Sequence, residues 1–206
     1  MVAAGIVASM QDPNGYIMYD RLNDVNGTQM ISHPMIKDSA GVGWSMGTFI
    51  GTTLPAASAT IQSNVLKFTS DSSMVITGLT FGNADPTIEV EWKPNGTTDR
   101  NSIVTRYLDG NNLTLVNFRA ATNNDIQIVR VVGGVPQVVP AFATAPFAWV
   151  IGTTYKITVT HNISLIAASI DGVPKVTDST LASPSVVGLM RNTGDNASEL
   201  NNFTVK

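Results

Sequence analysis

Glu89 and Glu91, in the stretch EVEW, are the residues whose types and spacing come nearest to chemistry. On an extended strand, residues i and i+2 share a face with their backbones roughly 6.5–7 Å apart. Two carboxylates so placed can flank a glycosidic bond, one protonating the leaving oxygen while the other acts as base or nucleophile. The neighbours argue for something plainer. Val90 and Trp92 alternate with the glutamates, and Lys93 extends the polar row. That pattern describes a half-buried strand with Val90 and Trp92 in the core and Glu89, Glu91 and Lys93 in solvent. No catalytic residue is assigned.

Other chemistry is thinner. His33 and His161 are the only histidines and cysteine is absent, which excludes a multi-histidine or thiolate metal centre. Calcium takes oxygen ligands, and two turns offer them: Asp109, Asn111 and Asn112 in one, Asp195, Asn196 and Glu199 in the other. Turn formation explains these residues more simply, so no metal and no other cofactor is expected. Nucleophile elbows, phosphate loops and dinucleotide fingerprints are missing. Among the three tryptophans, Trp44 and Trp92 read as core. Trp149 stands in the irregular segment AFATAPFAWV with Phe147 nearby. Phe147 and Trp149 are the candidates for a glycan or contact surface, although packing over a sheet edge suits Trp149 better.

Composition narrows the class further. Hydrophobic residues make up 43% of the 206, enough for a full core in one domain. Charged residues are only 13%, about half the roughly 25% usual for soluble domains. Net charge is −3 with no Lys/Arg cluster. Nucleic-acid affinity rests mainly on phosphate neutralisation, so that partner is not expected. The opening MVAAGIVASM is apolar, but it lacks a basic flank and is too short to span a bilayer. Neither membrane insertion nor a signal peptide is expected.

No helical period stands out. Alternation predicts about a dozen short strands, among them Thr60–Thr69, Thr87–Lys93, Ser102–Tyr107, Leu113–Ala120, Ile126–Val132, Tyr155–Thr160 and Ile163–Ile170. His161-Asn162 interrupts the last pair. Asp171-Gly172, Asp109 to Asn112 and Gly133-Gly134 supply hairpin turns. This is an all-β, antiparallel, two-sheet sandwich or closed barrel.

Three stretches carry a family resemblance. The first is DRLNDVNGTQMISHPMIKDSAGVGWSMGTFIG, the second IEVEWKPNGTTDRNSIVTRYLDGNNLTLVNFRA. The third combines YKITVTHNISLIAASIDG with VVGLMRNTGDNASELNNFTV. Together, over about residues 20–206, they resemble the concanavalin A-like (laminin-G-like) jelly-roll domains found in bacteriophage virion proteins. The resemblance implies a jelly-roll β-sandwich at 20–206. Related glucanases use a Glu-x-Asp-x-x-Glu strand. The motif is incomplete here: no aspartate follows Glu89, and Lys93-Pro94 stands where the last acid should be, so the likeness implies no enzyme.

The function expected first is therefore a non-enzymatic virion structural protein, a capsid decoration or tail-associated component contacting major capsid or tail proteins. The alternative is a carbohydrate-binding module for host cell-surface glycans, and a glycoside hydrolase comes third. Residues 1–19 precede the resemblance as an N-terminal arm or an extra edge strand. Val2, Ile6, Val7, Met10, Tyr16 and Ile17 make this leader too apolar for a free tail. Its burial is expected against its own sandwich or, preferably, against a partner in a homo-oligomer on the virion.

Overall fold

A computed structural model describes residues 18–22, 24–33, 37–38, 43–50, 52–53, 58–69, 74–80, 85–120, 124–138, 144–162, 165–179, 186–191 and 198–206. The leader residues Val2, Ile6, Val7, Met10, Tyr16 and Ile17 lie outside them, as do Asp195 and Asn196. The chain begins with short strands: β1 (Met18–Asp20), β2 (Lys37–Asp38), β3 (Trp44–Met46), β4 (Thr48–Phe49), β5 (Thr52–Thr53), β6 (Ala59–Gln62) and β7 (Val65–Phe68). Longer ones follow: β8 (Met74–Thr80), β9 (Thr87–Lys93), β10 (Arg100–Asp109), β11 (Asn112–Arg119), β12 (Asp125–Val132) and β13 (Val135–Val138). The rest are β14 (Thr144–Pro146), β15 (Tyr155–Asn162), β16 (Leu165–Ile170), β17 (Val173–Asp178), β18 (Val186–Arg191) and β19 (Glu199–Val205).

Apart from the β4–β5 hairpin, which stands by itself, these strands form two antiparallel sheets packed face to face. Sheet A runs β17-β16-β15-β9-β19-β1-β2, with β7 joined to β19 and β6 to β7. Sheet B runs β13-β12-β11-β10-β18-β8-β3, with β14 also on β12. The first described strand, β1, thus pairs with the last, β19, within sheet A, a closure that ties distant sequence together. Pro174 on edge strand β17 and Pro136 on edge strand β13 each withhold a backbone donor from the open edge, which discourages further pairing.

Period-2 alternation builds the core. On β9, Ile88, Val90 and Trp92 are fully buried. They meet Ile157, Val159 and Ile166 of their own sheet and Ile103, Val116, Phe118 and Leu189 from sheet B. Full burial of each such side chain contributes about 1.5–3 kcal/mol. A second apolar cluster lies on the other face of sheet B: Met74, Val104, Leu113, Leu115, Val131 and Met190. Phe49 and Tyr107 pack on it, and the Tyr107 hydroxyl accepts the Thr48 backbone N–H at 3.0 Å. Gly188 is required where β18 passes β8, because a Cβ there would collide with the Val75 carbonyl.

Several expectations need correction. Thr60–Thr69 is not one strand but the hairpin β6–β7, turned at Ser63 and Asn64 with φ of 54° and 63°. A Ser-Asn turn without glycine gave a weak signal. His161-Asn162 does not interrupt β15, since His161 is buried and still in the β16 ladder. The 1–19 leader, expected as an arm or an extra edge strand, is described only at its last two residues, Met18 and Tyr19, which pair in sheet A as part of β1.

The opening stretch folds around a buried carboxylate. Asp20 is fully buried. Its oxygens accept the Trp44 indole N–H at 2.7 Å and the Leu22 backbone N–H at 2.8 Å. His33 Nε2 lies 2.7 Å from Asp20 Oδ1, and His33 Nδ1 lies 3.3 Å from Asp24 Oδ2. Asp20, His33 and Trp44 of the resembling stretch therefore converge on one point.

Two measurements test this account. Trp92→Ala should cost about 3–5 kcal/mol in chemical denaturation. Glu91→Ala, on the opposite face, should cost under about 1 kcal/mol, and reversed values would mean a one-residue slip of β9. The second concerns His33. Burial disfavours its imidazolium, but the hydrogen bonds and charges of Asp20, then Asp24, outweigh burial and raise its pKa above the ordinary 6.5. A raised histidine pKa gives stability that is complete below the unfolded value and lost as pH rises through the folded one. The melting temperature should therefore fall as pH climbs from about 6.5 upward, and His33→Gln should flatten that fall.

Candidate functional site

The outer face of sheet A carries the polar residues that the alternation predicts. Glu89, Glu91 and Lys93 project from β9, Lys156 and Thr158 from β15, and Glu199, Asn201 and Thr204 from β19. They are not loose in solvent. Glu89 is clamped by Lys156 Nζ at 2.7 Å and Lys206 Nζ at 2.9 Å. The Thr158 and Thr204 hydroxyls stand 3.4 Å away. Burial pushes the Glu89 pKa up, but Lys156 and Lys206 together outweigh it and hold it below the ordinary 4.5. Glu89 is thus an anion at neutral pH.

Glu91 has different company. The Asn202 side-chain amide donates to its Oε2 at 2.7 Å. That contact depends on a bulge: the β19–β9 register shifts between Asn201 and Thr204, and Asn202 takes φ 48°. The extra residue re-aims the amide at its neighbour. Glu199, opposite Lys93, pairs with Lys93 at 3.3 Å and Lys67 at 3.6 Å.

Between these groups lies a cleft of about 220 Å³ lined by Val65, Glu91, Lys93, Thr154, Glu199 and Asn201. Three adjacent strands, β7, β19 and β9, form its floor, and Thr154 approaches from the turn before β15. Carboxylates accept and ammonium and amide groups donate, so the lining can hydrogen-bond a polyhydroxylated ligand. Acid catalysis fits poorly. The Glu89–Glu91 pair shares a face as its spacing implies, but only Glu91 lines the cleft. A general acid needs a raised pKa, and Glu89 has a lowered one.

The aromatic expectation resolves toward packing. Trp149 is only 7% exposed. Its ring stands edge-on to Trp92 at 4.8 Å and Tyr155 at 5.0 Å, with Phe147 at 4.4 Å. The Val150 backbone N–H donates to the Tyr155 hydroxyl at 2.8 Å, which fastens this irregular segment over the sheet edge. Of the two readings open for Trp149, the structure has the packing one, and the residue belongs to the core, not to a contact surface. Phe147 is half-buried, with the Lys175 ammonium 5.1 Å from its ring centre. In the turn at Asp109, the carboxylate accepts the Asn111 N–H at 2.7 Å and the Asn112 amide at 3.0 Å, so its oxygens serve the turn. Among the described residues no three His, Asp or Glu side chains converge as metal ligands.

Sequence reasoning did not find Thr154, Asn201, Asn202 or the clamping Lys156 and Lys206. Asn201-Asn202 inside a strand was the available signal, because asparagine tolerates positive φ. The lysine clamp depends on cross-strand register, which no local pattern contains.

No protein-family model matches the chain, and no curated protein does. Solved structures do. A carbohydrate-binding module of family CBM66 from Bacillus subtilis superposes with a TM-score of 0.60 at 14% identity, covering 80% of this chain and 96% of that one. Bacillus licheniformis β-glucanase gives 0.58 at 15% identity, over 91% and 94%. A Bacillus subtilis protein of unknown function with a galectin-like fold gives 0.55 at 11% identity, over 91% and 97%. With the two-sheet topology above, these likenesses identify the chain's fold as the concanavalin A-like, galectin-like jelly roll of lectin and glucanase domains.

Proposed function

We propose that the chain is a non-catalytic carbohydrate-binding module whose site is the cleft on the outer face of sheet A. The observation that carries this reading is the lining itself. Glu91, Lys93, Glu199 and Asn201 come from paired strands of one sheet, and their neighbours already hold Glu91, Lys93 and Glu199 in place. Polar groups fixed before the ligand arrives lose little entropy on binding, which favours recognition of hydroxyls. The fold likeness supports the reading as well, since it spans nearly the whole CBM66 module and 95% of the Emp46p carbohydrate recognition domain. Glu89, held as an anion by two lysines, is unsuited to the general-acid role that hydrolysis would need. The β-glucanase likeness leaves that an experimental matter. The virion role expected from the opening stretch gains no support from the comparisons, and the glycan-binding alternative replaces it as the first reading.

Binding to a glycan array, followed by calorimetry, tests the proposal. Glu91→Ala and Asn201→Ala should each weaken binding at least about tenfold, close to 1.4 kcal/mol, with melting temperatures little changed. Wild-type affinity in both variants would remove the cleft from consideration. Measurable β-glucan hydrolysis that disappears in Glu91→Gln would overturn the non-catalytic assignment.

A further inference from the structure

Sheet B is longer than sheet A at one end, and that overhang is apolar. Along β12, Ile126 and Ile128 face the core. Two residues on, Arg130 forms an ion pair with Asp178, the last residue of β17. Val132, the next residue on that face, lies past the rim of sheet A and is 53% exposed. Val135, its partner across the β12–β13 hairpin, is 59% exposed, and Leu108 near the end of β10 is 65% exposed. Hydrogen bonds hold the tip together: Gly134 N–H to the Asn111 carbonyl at 2.9 Å, and Ile50 N–H to the Gly110 carbonyl at 2.7 Å. Ile50 adds a further exposed side chain to the same tip.

Strand β1 begins at this end. Met18 pairs with Val205, Val205 with Ile88, and Thr87 next to it exchanges backbone hydrogen bonds with Lys206. The opposite end of sheet A is marked by Lys93 and Glu199, next to Ser198, which bonds to Asn101 at the start of β10. Ten residues later, at Asp109, β10 has therefore reached the Thr87 end.

We propose that the leader, residues 1–17 of the same chain, docks on the overhanging tip formed by Ile50, Leu108, Val132 and Val135. Chemistry matches: the leader brings Val2, Ile6, Val7, Met10, Tyr16 and Ile17 and has no basic residue. Reach is ample, since 17 extended residues span about 55 Å. A tethered segment also acts at an effective concentration in the millimolar range, well above that of a second copy in dilute solution. Burying both apolar surfaces removes them from water together.

The chain has no cysteine, so a single introduced pair reports cleanly. Val7→Cys combined with Val132→Cys, oxidised at low micromolar concentration, should give a disulfide within one chain, at a yield independent of dilution. A second variant, Leu108→Asp with Val132→Asp, should release the leader. Hydrogen exchange at residues 2–10 should then quicken at least about tenfold while the strands of sheet A keep their protection. Disulfides only between chains would mean that a second copy is the occupant and would overturn the proposal. So would an absence of cross-linking, or leader exchange equally fast in both forms.

Discussion

The alternation of β9 constrains everything else in this molecule. One strand places Ile88, Val90 and Trp92 in the core and Glu89, Glu91 and Lys93 on the polar face. Its ladder partners follow suit. Val90 sits opposite Ile157, Glu89 opposite Thr158, and Trp92 opposite both Tyr155 and Leu200. Shifting that register by one residue would bury three charges and expose a tryptophan, a change far larger than any surface interaction could offset. The core is thus the reason the cleft exists where it does.

Charges on the outer face play a different part. Lys156–Glu89, Lys93–Glu199 and Lys67–Glu199 involve lysines that remain substantially exposed. Pairs of that kind contribute about 0–1 kcal/mol each. Their value is positional: they fix where carboxylates stand over a sheet that apolar burial already stabilises. Asp20 is the contrary case. It is fully buried and accepts the Trp44 and Leu22 N–H groups as well as facing His33. Removing its partners would strand a carboxylate without water, which is why the opening stretch is specified by residue type and not merely by polarity.

Much of the fold was readable because period 2 is a local property. Thr87–Lys93 appears within its expected bounds, and the buried and outward residues of EVEW are those the pattern predicts. The Asp171-Gly172 turn also stands, with Asp171 at φ 49°. Short strands were harder. Strands β1, β3 and β14 have three residues each and are too brief to show a period. The site was less legible still. Glu91 was visible as a carboxylate, but its separation from Glu89 in function arises from Lys156, Lys206 and Asn202, which lie more than 60 residues away. Trp149 illustrates the same limit. Its irregular, proline-flanked segment left both a contact surface and packing over a sheet edge open, and the structure has the packing, with Trp92, Phe147 and Tyr155 around its ring.

The absence of an exposed tryptophan among the three shapes what the cleft can recognise. Trp44, Trp92 and Trp149 are all spent on the interior, so stacking on a sugar face by tryptophan is not available. On the proposed glycan-binding reading, selectivity would come from hydrogen bonding by Glu91, Thr154, Glu199, Asn201 and Lys93. Hydrogen-bonding sites discriminate asymmetrically. A ligand that lacks a matching hydroxyl leaves a desolvated carboxylate or amide unpaired, and the penalty falls on the wrong ligand instead of rewarding the right one. A cleft mounted on β9, with Trp92 locked beneath it, cannot relax to soften that penalty. On that reading, the rigidity that packing imposes on the strand would be the source of the cleft's selectivity.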